Sequence, residues 1–163
     1  MLALNKMWYY SIINLQQRQG INHQKDEELM KADFMQQLNR RINSMNLFSR
    51  SVIGVMNDED SIAITSIPGA DETIYFDGTR DKNYNIQVSA KSKDRQECLE
   101  SLTMIYKELE SLDNLPSEND SYKFQSININ DFPALVLYDE QGFFIYELSI
   151  TAKITIHKGV KIL

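Results

Sequence analysis

Apolar residues recur every three to four positions in two stretches of this chain and at every second position in several others. Met30, Phe34, Leu38, Ile42 and Met45 share one face of a helix expected from about Asp26 to Met45, and Asp33, Gln36, Asn39, Arg40 and Asn43 share the other. Asp26, Glu27 and Glu28 in its first turn and Arg40 and Arg41 towards its end suit the helix dipole. A second helix is expected from about Arg95 to Leu112, where Cys98, Leu99, Leu102, Ile105, Tyr106, Leu109 and Leu112 align and Glu100, Lys107 and Ser111 lie opposite. Asp94 is a natural N-cap with Glu97 at capping-box spacing, and Asn114 and Pro116 end the helix.

Between and after the helices the period drops to two. Ser61 to Ile67 reads as a strand stopped by Pro68-Gly69, and Thr73 to Phe76 as a short one stopped by Asp77-Gly78. Tyr84, Ile86, Val88 and Ala90 alternate with Asn85, Gln87 and Ser89, one face dry and one wet. The stretch Asp77 to Asn83 is then a polar tip joining two strands of an extended hairpin. Tyr122 to Ile129 is a strand whose apolar phase slips near Ser126, as a bulge would cause. Leu135 to Tyr138 and Phe143 to Ile156 flank the hairpin signal Asp139-Glu140-Gln141-Gly142. The long alternation from Phe144 to Ile156 suggests a strand central to its sheet or reaching past it.

The order helix, about three strands, helix, about three strands defines an α+β fold: two helices on one face of a mixed, largely antiparallel sheet. Residues 1–29 differ from the rest. An aromatic cluster from Met7 to Ile13 is followed by polar Gln16 to Lys25, the pattern of an N-terminal extension or arm ahead of a domain at 30–163. Met30 stands as an alternative initiator; mass spectrometry of natively expressed protein is expected to show a species starting there, and full-length chain alone would exclude it.

Composition narrows the classes. At 163 residues, 42% hydrophobic and 25% charged, with 3 Pro and 6 Gly, the chain suits one folded domain with an appendage. No run is long and apolar enough for a membrane span. The single cysteine, Cys98, excludes an internal disulfide, and with only His23 and His157 beside it a zinc site is excluded too; a reducing cytoplasm is the simplest compartment. The net charge of −6 divides into +3 over residues 1–50 and −9 over residues 51–163. An acidic body argues against wrapping nucleic acid, while a surface that DNA merely passes tolerates it.

Candidate chemistry is sparse. There is no nucleophile elbow, metalloprotease helix, Walker loop or dinucleotide fingerprint. Cys98 falls in the apolar stripe of the second helix and reads as a core thiol. Asp58-Glu59-Asp60 lacks calcium-loop spacing, and it and the hairpin acids Asp139-Glu140 read as solvated turn acids. Lys91, Lys93 and Arg95 alternate towards the second helix and read as a solvated strand end rather than a phosphate site. No cofactor or metal is expected.

Several stretches together resemble a known family: Ile67-Pro68-Gly69, Tyr75-Phe76-Asp77-Gly78-Thr79-Arg80-Asp81-Lys82, Ala90-Lys91-Ser92-Lys93, Asn114-Leu115-Pro116-Ser117 and Asp139-Glu140-Gln141-Gly142-Phe143-Phe144-Ile145-Tyr146. Over roughly Asp33 to Ile156 the chain is similar to the minor capsid, or tail-terminator, proteins of long-tailed phages and prophages of Gram-positive bacteria. The resemblance implies an α/β fold and a hexameric ring at the head-proximal end of the tail tube, which stops tube polymerisation and meets the head-completion protein of the connector. Its partners would be copies of itself, the tail tube protein and that connector protein; DNA would only pass through the lumen, and no membrane is involved. The expected place is the virion tail and neck, with assembly in the host cytoplasm. The candidate subunit or tube contact is the hairpin carrying Tyr75, Phe76, Asp77, Gly78, Thr79, Arg80, Asp81 and Lys82, with Phe76 and Arg80 as anchors, since interfaces draw on aromatic residues and Arg. Alternatives are a neighbouring head-completion or tail-joining protein and, in another class, a small ligand-binding or enzymatic domain.

Overall fold

The computed structural model describes residues 32–160, so the N-terminal extension, Met30 and the Asp26 to Lys31 part of the expected first helix lie outside the described residues. The helices are α1 (Phe34–Asn43) and α2 (Arg95–Glu110). The strands are β1 (Ser51–Ile53), β2 (Ser61–Ile67), β3 (Glu72–Ile74), β4 (Arg80–Ser92), β5 (Tyr122–Ile129), β6 (Ala134–Tyr138) and β7 (Phe144–Ile156). They form one sheet in the order β1-β2-β4-β7-β5; β3 adds to β4 and β6 adds to β7.

β4 and β7 run antiparallel for 13 residues each, in register from Arg80 opposite Ile156 to Ser92 opposite Phe144. Alternation puts every even-numbered side chain of both strands on the helix-covered face. Ile86, Val88, Leu148, Ile150 and Ile154 are wholly buried there. Each contributes about 1.5–3 kcal/mol by leaving water. β2 flanks β4 along Asn85 to Lys91, and β3 continues the same flank at Arg80 to Lys82. On the opposite flank β5 lines Ile150 to Ile156 and β6 lines Phe144 to Glu147. β3 and β6 therefore occupy diagonally opposite corners of the sheet.

The helices close the core. Phe34, Leu38 and Ile42, spaced four apart, are buried, and the Phe34 ring lies 5.4 Å from Tyr84 and 5.5 Å from Tyr122, edge-on to the latter. α2 buries Cys98, Leu102, Ile105 and Leu109. Its cap departs from the reciprocal box. Asp94 Oδ1 accepts from the Gln96 amide at 2.8 Å as expected, but the Asp94 amide donates to Ser92 Oγ at 3.1 Å. That hydroxyl donates in turn to Glu97 at 2.9 Å, so Ser92 is inserted into the box. Asp33 ties α1 to the loop before β5: its carboxylate accepts from Ser117 Oγ, the Glu118 amide, Gln37 and Ser121 Oγ at 2.7–3.0 Å. Partial burial opposes its ionisation, but these donors together hold its carboxyl below the usual range.

Two helices on one face of a mixed, largely antiparallel sheet is the expected architecture. The slip near Ser126 is a bulge at Gln125, where the β5–β7 register shifts between Phe124 and Ser126. Boundaries differ where side chains intervene. α1 ends at Asn43, not Met45, because Ser44 turns back with its hydroxyl on the Arg41 carbonyl at 2.6 Å. β1 is unanticipated. It is three residues long, too short to alternate, and pairs parallel to Ile62–Ile64. Asn43 holds it like a missing neighbour, accepting from the Ser51 amide at 2.8 Å and donating to its carbonyl at 3.0 Å.

Ile150 sits at the centre of the β4–β7 pair, opposite Ile86. Ile150→Ala is expected to lower unfolding free energy by about 2–5 kcal/mol in urea titration, whereas Phe76→Ala, outside the core, changes it by less than about 0.5 kcal/mol.

Candidate assembly surface

The Tyr75–Thr79 hairpin loop is built by its own backbone. The Tyr75 amide donates to the Thr79 carbonyl at 2.9 Å and the Gly78 amide to the Tyr75 carbonyl at 3.0 Å. The turn needs a left-handed residue, and Gly78 supplies it with φ +89°. Asp77 Oδ1 accepts from the Thr79 amide at 2.9 Å and its hydroxyl at 2.7 Å, which holds the Asp77 carboxyl below the usual range. Only Phe76, Asp77 and Gly78 thus form the tip. Arg80 to Asn83, expected within the loop, belong to β4.

Asp81 fixes the loop to the sheet. It accepts from Thr155 Oγ1 at 2.7 Å, Gln125 Nε2 at 3.0 Å and Tyr75 OH at 3.0 Å, with Lys153 Nζ at 3.7 Å. The Thr155 hydroxyl is the largest cause of its lowered pKa; slight burial opposes the shift, and Tyr75, Lys153 and Gln125 add to it. Arg80 is turned into the chain: it donates to the Val160 carbonyl and pairs with Glu72 at 3.4 Å. Lys82 lies over the Tyr84 ring at 5.3 Å. What projects from this corner is apolar, namely Ile74, Tyr75 and the fully exposed Phe76.

The opposite corner is apolar too. All five residues of β6, Ala-Leu-Val-Leu-Tyr, are exposed. β6 is held on one side by β7, with a register shift between Leu135 and Leu137 that leaves Val136 as an extra residue. Just before it Phe132, 75% exposed, stacks on Tyr106 of α2 at 5.1 Å and 16°. The Tyr138 ring lies 4.6 Å from Phe144. The turn from β6 to β7 repeats the design of the other tip. Asp139 and Phe143 close it, Gly142 has φ +84°, and Asp139 Oδ1 accepts from the Gln141 and Phe143 amides at 3.0 and 2.9 Å. Sequence reasoning treated Leu135 to Tyr138 only as a hairpin arm. The overlooked signal is five apolar residues with no polar alternation on a strand that is flanked on one side alone.

The sheet face away from the helices is a field of amides and hydroxyls. Asn130 donates to Thr151 at 3.1 Å, Thr151 to Asn85 at 3.2 Å, and Gln87 to Glu147. Elsewhere the reactive side chains are engaged. Burial pushes the Cys98 thiol up to about 11, and its Sγ donates to the Phe144 carbonyl at 3.6 Å. His157 Nδ1 lies 2.7 Å from the Asp120 carbonyl, to which it can only donate. Lys91 and Lys93 lie over the Phe143 ring at 4.4 and 5.1 Å, and Lys91 donates to the Asp58 carbonyl at 2.9 Å. Among the described residues no three His, Cys, Asp or Glu side chains could jointly hold a metal, and no helix is long and apolar enough to cross a membrane. A cleft of about 220 Å³ between α1 and β1–β2, lined by Met35, Ile53, Ile64 and Tyr84, lacks convergent charged groups.

The described residues thus combine a buried thiol with two exposed apolar corners. Residues 22–156 match the family model for bacteriophage tail terminator proteins, and the chain belongs to that family. The match begins ahead of the boundary expected at Met30. No curated relative matches the chain.

Because Asp81 has a lowered pKa when folded, its tie to Tyr75 and Thr155 contributes fully above the ordinary carboxylate value of about 3.9 and is lost as pH falls through the depressed one. Asp81→Ala is expected to speed exchange of the Tyr75 amide roughly tenfold at neutral pH. The difference from the parent chain should vanish in strong acid. Equal exchange at neutral pH would show that the carboxylate does not hold the loop.

Proposed function

We propose that this chain is the structural protein that ends a phage tail tube. It assembles as a homomeric ring, six-fold by the family resemblance, on the head-proximal end of the tube, stops its polymerisation and presents a surface to the head-completion protein. The observation that carries this reading is the family match over residues 22–156. The apolar corners support it, since a protein acting only by contact needs exposed apolar surface of this kind. The Tyr75–Lys82 hairpin is the contact to a neighbouring subunit or the tube, with Phe76 as its protruding anchor and Asp81 and Arg80 as its internal braces. The acidic balance over residues 51–163 suits a ring whose lumen must release a passing polyanion. No catalysis is assigned to any residue, and the protein resides in the virion, at the junction of tail and neck.

A phage from which this gene is deleted is expected to make overlong or headless tails by electron microscopy, restored to uniform length by the gene in trans. Normal virions from the deletion would overturn the reading.

A further inference from the structure

The cleft between α1 and the β1–β2 edge is held open from both ends. At the end of α1 the Asn43 amide accepts from and donates to the backbone of Ser51, the first residue of β1. Ahead of α1 the Asp33 carboxylate accepts from Ser117 Oγ and the Glu118 amide. The helix is thus pinned at each end, which keeps it off the sheet edge between the pins. The gap of about 220 Å³ is lined by Ala32, Met35, Ile53, Ile64 and Tyr84 among others, and no charged residue lines it. Its rim is apolar too: Ile53 is 45% exposed, and Val55, next to the lining Gly54, is 87% exposed. Apolar walls that face each other across such a gap forfeit dispersion contacts until something fills it. The volume falls below the roughly 300–1,000 Å³ of small-molecule pockets and suits inserted side chains better than a free ligand.

We infer that the segment Met7–Ile13 of the same chain fills this cleft. Its place of attachment argues for it: Ala32, the first described residue, is itself part of the cleft wall, so everything ahead of it is tethered at the site. Residues 14–31 join the segment to that wall and reach at most about 60 Å when extended, so the connection does not limit docking. A segment tethered in this way meets the cleft at an effective concentration in about the millimolar range, against which any free partner must compete. The chemistry matches as well. Met7-Trp8-Tyr9-Tyr10-Ser11-Ile12-Ile13 carries no charge, as the cleft lining carries none. Its aromatic and aliphatic side chains are those that gain most by leaving water, while Gln16 to Gly20 and Asn22 to Lys25 are polar and serve as connector. The family match covers residues 22–156, so the segment lies outside the matched part and adds a contact of this chain's own. That contact is made within one subunit and does not depend on ring formation.

Trp8 is the single tryptophan of the chain, so the fluorescence of the full-length protein reports on this segment alone. Its emission is expected to lie to the blue of the urea-unfolded chain, with acrylamide quenching reduced several-fold. Ile53→Lys and, separately, Ser66→Arg at the lining should each return both readings to the unfolded values while leaving the far-ultraviolet circular dichroism unchanged. Trp8 as accessible in the folded parent as in urea would overturn the inference, and so would protection that survives both lining variants. Bis-maleimide cross-linking separates the chain's own cleft from a neighbour's. The parent background is silent, because Cys98 is its single cysteine and is wholly buried. Ser11→Cys/Ser66→Cys, with Ser11→Cys/Gln36→Cys as a second pair, is expected to give an internally linked monomer on denaturing gels. Covalent dimers or ladders would put the segment on another copy and overturn the inference, as would the absence of a linked monomer from both pairs.

Discussion

Everything else in this molecule hangs on the antiparallel pairing of β4 with β7. Thirteen residues of each strand remain in register from end to end, and the pairing fixes one face as apolar throughout. A slip of one residue would turn one strand's buried set outward, either Ile86 and Val88 in exchange for Asn85 and Gln87 or Leu148 and Ile150 in exchange for Ser149 and Thr151. The polar face resists the same slip, because Thr151 bonds Asn85 and Thr155 bonds Asp81 across the two strands. Both helices dock on the apolar face, so their positions follow from it. Each long strand also overhangs its shorter neighbours, which places β3 with its turn at one corner and β6 at the other.

That arrangement explains why apolar surface is exposed where it is. A strand in the middle of the sheet has neighbours on both sides and a helix above. β3 and β6 each have one neighbour, and the residues of both are exposed. The turns beside them are rigid for the same reason: a left-handed glycine and an aspartate accepting backbone amides, at Gly78 and Asp77 and again at Gly142 and Asp139. Rigid presentation matters for assembly, because a contact held in place loses less entropy on binding.

Much of the fold was legible in the sequence. Period-2 alternation in β4 and β7 and period-3.6 stripes in both helices read directly, since each element buries one face. The bulge in β5 showed as a phase slip from Tyr122 and Phe124 to Ile127 and Ile129. What escaped depended on tertiary contacts. β1 exists because Asn43 and β2 hold three residues extended. Arg80 to Asn83 looked like loop because the turn chemistry of Asp77-Gly78 was read too broadly, while β7 and β3 draw those residues into the sheet. Of the candidate site, Phe76 is an anchor by residue type alone, and the structure adds only that its ring is fully exposed. The inward turn of Arg80 towards Val160 and Glu72 could not be read from spacing. The β6 corner was hidden for a simpler reason: an all-apolar pentapeptide reads as buried until its missing neighbour is seen.

The central claim is that this chain caps a tail tube by contacting copies of itself. Cryo-electron microscopy of the head-proximal end of intact tails from a phage carrying this gene tests it most directly. A closed ring of this chain seated on the last tube layer is the expected density. A tube end whose last layer is tube protein alone, with this chain absent or bound elsewhere as single copies, would contradict it.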